Sequence, residues 1–300
     1  MENTHNSFLL RSLMFVPAHN DRLLDSAARL SADVLLLDLE DSVQPIENKQ
    51  IARNKIIERV TRGDFKNHHV FPRINDRESG QLLKDLTALT IPGIDGFMYP
   101  KSKTGKDVYF IDKLLETIEF EKNIPIGTYK LIPLIETTAA VLNAQDICKA
   151  SPRVIAIAFG CEDYVSDLNG VHDHDGLSIF TARSVIAMAA RANNVAPIDT
   201  VHIKVHDLED LEKNLQLAKK LGFEGMLVLN PKELPLVHQY YSPSEVEVAD
   251  AKEMLEMYEE AQKSGKGVAI KNGKFIGPPM VVAAKKVLQY NEQIKAKSWK

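Results

Sequence analysis

Carboxylates gather where the apolar runs of this chain stop. The stretch VLLLDLEDSV carries four apolar residues, Val34 to Leu37, and then Asp38, Glu40 and Asp41. Further along, KLIPLIETT ends in Glu136, and RVIAIAFGCED ends in Cys161, Glu162 and Asp163. Bases stand at corresponding places, Arg73 in HHVFPRIN and Lys101 in DGFMYPK. This set suits a hard divalent cation such as Mg²⁺, which takes oxygen ligands, keeps several waters and needs only one or two carboxylates besides substrate oxygens. Glu136 and Asp163 end consecutive runs, so their tips are expected side by side as direct ligands. Asp38, Glu40 and Asp41 then fit a layer behind them, holding metal waters and balancing Lys101 and Arg73. Residues 38 and 40 are read on one face of a strand. The planar fork of Arg73 suits a substrate carboxylate or a developing enolate oxygen.

Each of these residues also has a plainer reading. Acids at strand ends are ordinary helix N-caps, and Asp163 suits that role as well as it suits a metal. Arg73 equally suits a salt bridge. His172 and His174, in GVHDHDG, flank acids, but their spacing matches no zinc pattern and a solvated loop is the simpler account. His202 and His206 are read on one face of a strand, as core or barrel-lining side chains. Cys161 has no histidine-paired nucleophile motif around it and is read as a small neighbour of the site. No GxxxxGK[ST] and no convincing GxGxxG occurs, so phosphate loops of those kinds are absent.

The elements that must position these residues are eight apolar runs at 13–18, 33–40, 68–74, 95–101, 130–137, 153–160, 199–205 and 225–231. Most are continuous rather than alternating, as in strands covered on both faces. Helical patterns such as RLLDSAARLSA, FTARSVIAMAARANN and LEDLEKNLQLAKKLG lie between them, the last stopping at Gly222. Eight such units predict an α/β fold of the TIM (β/α)8 barrel type over residues 10–240, with a doubly wound open sheet as the alternative. In such a barrel the chemistry sits at the carboxyl ends of the strands, where the acids and bases above fall. Residues 241–300 read as a C-terminal helix–hairpin–helix extension, packing on the barrel or on a neighbouring subunit. Its first helix has Ser242 or Ser244 as cap and Gly265 as stop, and Asn272-Gly273 marks the hairpin.

Bulk properties narrow the class. The 300 residues are 44% hydrophobic with a formal charge of -4, so no global basic surface points to nucleic acid. Two cysteines, Cys148 and Cys161, make no disulfide framework and fit a reducing compartment. The stretch MENTHNSFLLRSLMF lacks the basic region of a secretory signal. No apolar run approaches the roughly 20 residues of a membrane span. The expectation is a soluble cytoplasmic enzyme or binding protein with neither a nucleic-acid nor a membrane partner.

Six motifs occur in order: RSLMFVPAHNDRLLDSA, ADVLLLDLEDSVQPIENKQIARNKI, FPRIN, GFMYPK, LIPLIETTAAVLNAQDI and IAFGCEDYVSDLNG. Together they resemble the citrate lyase β-subunit-like members of the HpcH/HpaI aldolase family, the CoA-ester lyases, over residues 10–290. The resemblance implies a TIM barrel, Mg²⁺ dependence and reversible aldol cleavage of a 3-hydroxyacyl thioester such as a malyl-, citramalyl- or citryl-thioester. The products would be an acetyl-thioester and a 2-oxo acid, and a homotrimer or hexamer is the common assembly. Residue by residue, it implies that Glu136 in LIET and Asp163 in GCED are metal ligands. Arg73 in PRIN would stabilise substrate and enolate, and Arg22 in VPAHNDR would meet CoA phosphates. Other readings on the same resemblance are the β subunit of a citrate lyase complex acting on a carrier-protein thioester, a thioester hydrolase or synthase, and a non-catalytic acyl-CoA-binding paralogue. The chain departs from the family at two places. Relatives with lyase chemistry often read GKMID-x-P near the C-terminus, whereas this chain reads GKFIGPPM and places Gly277 where the aspartate would stand. It also reads LNP at 229–231, where relatives often read IHP.

Overall fold

Runs that are apolar at every position are satisfied only with cover on both faces. The computed structural model, which describes residues 8–171, 176–263, 269–271 and 274–297, gives them that cover. Strands β1 (Ser12–Pro17), β2 (Val34–Asp38), β3 (His69–Val70), β4 (Gly96–Tyr99), β5 (Lys130–Ile135), β6 (Ala156–Phe159), β7 (Ala196–Asp199) and β8 (Gly225–Val228) form one sheet. All its pairings are parallel, in the order β3-β2-β1-β8-β7-β6-β5-β4. The ring closes just beyond β3. Arg73 bridges both Asp38 and Met98. Met98 N donates to Pro72 O at 3.0 Å, and Ile74 N donates to Met98 O at 3.1 Å. The arginine therefore sits on the rung that turns the sheet into a TIM (β/α)8 barrel. Leu13, Leu36, Phe71, Met98, Ile132 and Ile198 belong to the buried cluster that fills it.

Helices separate the strands: α1 (Asp21–Ala27), α2 (Asn48–Arg62), α3 (Leu82–Leu89), α4 (Gly105–Glu121), α5 (Thr138–Leu142), α6 (Ala144–Lys149), α7 (Cys161–Asp167), α8 (Leu177–Ala192) and α9 (Leu208–Leu221). Buried charge occurs at the amino end of the barrel as well. There Arg153 donates to Asp112 at 2.5 Å and to Glu119 at 2.6 and 2.7 Å.

One expected strand is displaced. The run 199–205 alternates like a strand, but β7 is Ala196–Asp199 and the chain has left the sheet by residue 200. A proline inside a strand removes a ladder bond and argues against strand at APID. The carbonyl of Pro197 nonetheless accepts from Glu224 N at 3.0 Å, and all four residues are buried. His202 and His206 thus lie on the loop after β7 rather than on a strand. His202 is buried there, with Nε2 3.0 Å from Asp210.

Gly225 is required where β8 meets β1. A Cβ built on it would lie 1.8 Å from the backbone oxygen of Leu10. Gly225→Ala is expected to cost about 3 kcal/mol through forced strand displacement, read as a lower urea midpoint at unchanged m-value.

By its contacts the chain divides into residues 1–237 and 238–300. Helix α10 (Leu234–Tyr241) spans the boundary. In the second unit α11 (Glu245–Lys263) packs against α12 (Pro278–Ala296). Ser244 opens α11 with a capping box: its Oγ accepts from Glu247 N at 3.1 Å, and the Glu247 carboxylate accepts from Ser244 N at 2.8 Å. Strands β9 (Ala269–Lys271) and β10 (Lys274–Ile276) pair antiparallel. Gly277 is the N-cap of α12, with Pro278 as its first residue. Gly265, Asn272-Gly273, His172 and His174 fall outside the described residues. Among the described residues no helix is long and apolar enough to cross a membrane.

Candidate active site

Asp38, the last residue of β2, is fully engaged. It accepts from Arg73 Nε at 2.7 Å and from the second Arg73 nitrogen at 2.8 Å, a two-pronged pair. Glu40 N and Ser42 N donate to the same carboxylate at 2.9 and 3.1 Å. Burial alone would raise the Asp38 pKa, but the Arg73 hydrogen bonds and charge outweigh it and hold the group below the ordinary aspartate value. Glu40 lies beyond the end of β2, which corrects the expectation that residues 38 and 40 share a strand face. Both still reach Arg73, whose outer nitrogen lies 3.1 Å from Glu40 and 3.1 Å from Asp41. The guanidinium also stacks on Phe15, 4.8 Å from the ring centroid.

Lys101 joins this group to a second one. Its Nζ lies 2.8 Å from Glu40 and 3.1 Å from Asp76, while its backbone N donates to Glu136 Oε1 at 2.5 Å. Glu136 follows β5 and is 2% exposed. Burial pushes its pKa up to about 8. The Lys101 N–H and the Arg73 charge act downward, and the Asp163 and Glu40 charges upward. Glu40 is 6% exposed and is pushed up to about 7, by burial first and then by Asp41, against the pull of Arg73 and Lys101. Asp163 is exposed in the first turn of α7, whose N-cap is Gly160, so it is not the cap of that helix. The DLED acids do not cap α2 either, since its N-cap is Glu47.

Two cavities meet at these carboxylates. One, of about 600 Å³, is lined by Arg73, Asp38, Asp41, Glu136 and Asp163 together with apolar side chains such as Phe15, Leu23, Leu30 and Leu229. The other, of about 490 Å³, holds Lys101, Asp76, Tyr99 and Lys103 and shares Glu136 and Asp163 with the first. Among the described residues no set of three or more His, Cys, Asp or Glu side chains is arranged to hold a metal ion. The remaining donor set is two carboxylates on a common wall, one of them dry and repelled by the other. Such a pair could hold a hard cation, which would relieve the repulsion and leave positions for water and substrate oxygens.

The structure thus brings Asp38, Glu40, Asp41, Arg73 and Lys101 into one hydrogen-bonded group, with Glu136 attached through Lys101 and Asp163 across the shared wall. Arg22 stands apart: it is exposed on α1 and lines neither cavity. Sequence reasoning missed Asp76, Phe15 and Lys49. Asp76 lies two residues past the end of the run at 68–74, so a two-residue extension of that run would have found it. Lys49 lies in a helix, and no local signal marks it.

A model of the HpcH/HpaI aldolase/citrate lyase family matches residues 11–231. Citrate lyase subunit beta of Leuconostoc mesenteroides subsp. cremoris is 34% identical over 285 residues, covering 95% of this chain and 94% of that protein. A (3S)-malyl-CoA thioesterase of Cereibacter sphaeroides is 27% identical over 292 residues, 97% of this chain and 98% of its own length. Among solved structures, the CitE protein of Mycobacterium tuberculosis in complex with magnesium, acetoacetate and coenzyme A aligns with a TM-score of 0.71 at 28% identity. That alignment covers 94% of this chain and 100% of the other.

Proposed function

This chain belongs to the HpcH/HpaI aldolase/citrate lyase family, and we propose that it is a Mg²⁺-dependent carbon–carbon lyase acting on a short 3-hydroxyacyl-CoA. The substrate class is a malyl-, citramalyl- or citryl-thioester, split into acetyl-CoA and a 2-oxo acid or formed from them. The observation that carries this reading is the meeting of Arg73 with the Glu136–Asp163 pair on the wall of one cavity that is otherwise largely apolar. The magnesium-bound CitE structure supports the choice of cation.

Glu136 and Asp163 would hold the metal. When bound, Mg²⁺ supplies Lewis-acid polarisation of the substrate carboxylate and carbinol oxygens. In cleavage the hydroxyl proton passes to water, the carbinol carbon becomes the carbonyl of the 2-oxo acid as its bond to the thioester α-carbon breaks, and the electron pair of that bond becomes the thioester enolate. Arg73 faces that developing charge with a guanidinium already aimed by Asp38 and Glu40, so no reorganisation is needed at the moment of reaction. Phe15, Leu23 and Leu30 offer apolar wall to the acyl-thioester arm and exclude water from the enolate. A proton must then reach the enolate carbon. Gly277 carries no group that transfers one, and this, with the thioesterase relative, favours hydrolysis of the same thioesters as the second reading. A carrier-protein thioester in place of CoA, suggested by the citrate lyase relatives, is distinguished by its substrate. The expected trimer or hexamer belongs to the same proposal and is tested by light scattering.

The test is a coupled assay of the purified protein on malyl-CoA, both citramalyl-CoA stereoisomers and citryl-CoA, with Mg²⁺ or chelator. Mg²⁺-dependent release of a 2-oxo acid supports the lyase. Release of free CoA with the hydroxy acid intact supports the hydrolase. No turnover of any ester overturns the CoA-ester reading.

Gly160 offers a finer check. A Cβ on it would lie 2.8 Å from Glu136 Cβ and 3.2 Å from Oε2. Gly160→Ala is expected to push the carboxylate aside and weaken Mg²⁺ binding by about 10- to 100-fold, read by titration calorimetry, with the circular dichroism spectrum unchanged.

A further inference from the structure

Behind the site, on the second residue of α2, lies a lysine whose placement is costly. Lys49 is 6% exposed, and its side chain runs from the first turn of the helix to the segments that follow β2 and β3. Its three contacts are all to uncharged oxygens: Leu39 O at 2.9 Å, Glu40 O at 2.9 Å and Asn75 Oδ1 at 2.6 Å. These use all three of its protons. Burying an ammonium without a carboxylate at hydrogen-bond distance costs free energy, so the arrangement calls for a gain elsewhere.

The acceptors show where that gain lies. Leu39 and Glu40 follow β2, and Leu39 N donates to Arg73 O at 3.0 Å. Asn75 is two residues beyond Arg73, and its backbone and side-chain nitrogens donate to Asp85 at 2.8 and 2.7 Å. Asp85 in turn is paired with Arg53 at 2.7 Å. Lys49 therefore ties the segment after β2 to the segment after β3 that carries Arg73, and Asp85 anchors the latter to α3. The carboxylate of Glu40, whose backbone it holds, is the group shared by Arg73 and Lys101.

We infer that Lys49 is a positioning residue of the site: its buried ammonium locks the ends of β2 and β3 together and thereby aims the Arg73 guanidinium and the Glu40 carboxylate into the cavity. The inference rests on the lyase reading for its consequence, since a misaimed Arg73 matters most when an enolate charge develops. Glu136 and Asp163 follow β5 and β6, and Lys49 makes no hydrogen bond to either.

The test compares wild type with Lys49→Met, which keeps most of the stem and removes the charge. Mg²⁺ affinity and KM are expected to stay within about threefold, while kcat falls by about 10- to 100-fold. The Arg73 Nε–H resonance, assigned by its loss in Arg73→Lys, is expected to move, and that of Arg153 at the far end of the barrel to stay. A lower melting temperature with kcat of the folded protein unchanged, or an unmoved Arg73 resonance, overturns the inference. Should Lys49→Met fail to fold, Asn75→Ala removes one of the three acceptors and is read in the same two ways, with a smaller fall in kcat. If the wild-type protein cleaves no thioester, the lyase reading has failed. The Arg73 resonance then decides the positioning role without it.

Discussion

Glu136→Ala is expected to lower kcat/KM for any thioester the protein cleaves by at least about 10³-fold, because the loss of Lewis-acid assistance is worth several kcal/mol of transition-state stabilisation. Mg²⁺ titration of the variant should show a correspondingly weak site. Glu136→Gln separates charge from shape. It keeps the volume and an oxygen for the Lys101 N–H, yet removes the carboxylate that burial and Asp163 already disfavour. In chelator it should melt no lower than wild type, while the rise in melting temperature that Mg²⁺ gives the wild type disappears. Retained Mg²⁺-dependent activity in either variant would sink the assignment of Glu136 as a ligand.

Arg73→Met is the second large effect, and it should act on activity and stability at once. Removing a preorganised donor to a developing oxyanion costs about 10²–10³ in kcat. It also strands Asp38, which is buried and loses its two-pronged partner, at about 3–5 kcal/mol. The pH dependence gives the sign. In wild type the Asp38 pKa is held below its ordinary value of 3.8, so its contribution to stability is present above that value and is lost as pH falls through the lower folded value. Without Arg73, burial dominates and raises the group instead. The variant should then gain stability relative to wild type as pH is lowered from neutral towards 4. Adding Asp38→Asn should restore much of the stability at pH 7 and none of the activity. Activity returning with the double variant would assign Arg73 a structural role alone.

The two experiments probe halves of the site that the fold holds by different means. Glu136 depends on the close approach of Gly160 and on the backbone of Lys101. Arg73 depends on carboxylates at and just beyond the end of β2 and on the closing rung of the barrel. Lys101 links the two halves, its Nζ on Glu40 and its backbone N on Glu136, so Mg²⁺ titration of Arg73→Met and of Glu136→Ala measures how far one half depends on the other.

The amino-acid sequence by itself favoured the barrel over an open doubly wound sheet and marked the end at which to look. Continuous apolar runs such as LLL at 35–37 can be buried only between two layers, and eight of them with helices between leave few alternatives. The acids and bases that follow the runs then fall at the carboxyl end because the chain direction puts them there. Pattern misled at β7, where the proline in APID hid a strand and the alternation of TVHIKV imitated one. Tertiary structure alone decided which carboxylate serves which base. Asp38 and Arg73 are 35 residues apart, and Lys49 and Asn75 are 26 apart. Hydrophobic periodicity reports local burial and is blind to partners across such separations. It also could not show that Glu40 leaves the strand, that Arg22 lines neither cavity, or that Glu136 is dry enough to be pushed up to about 8. Those properties depend on what the closed barrel brings around each group, since burial and neighbouring charge, not residue type, set the free energy of a charge.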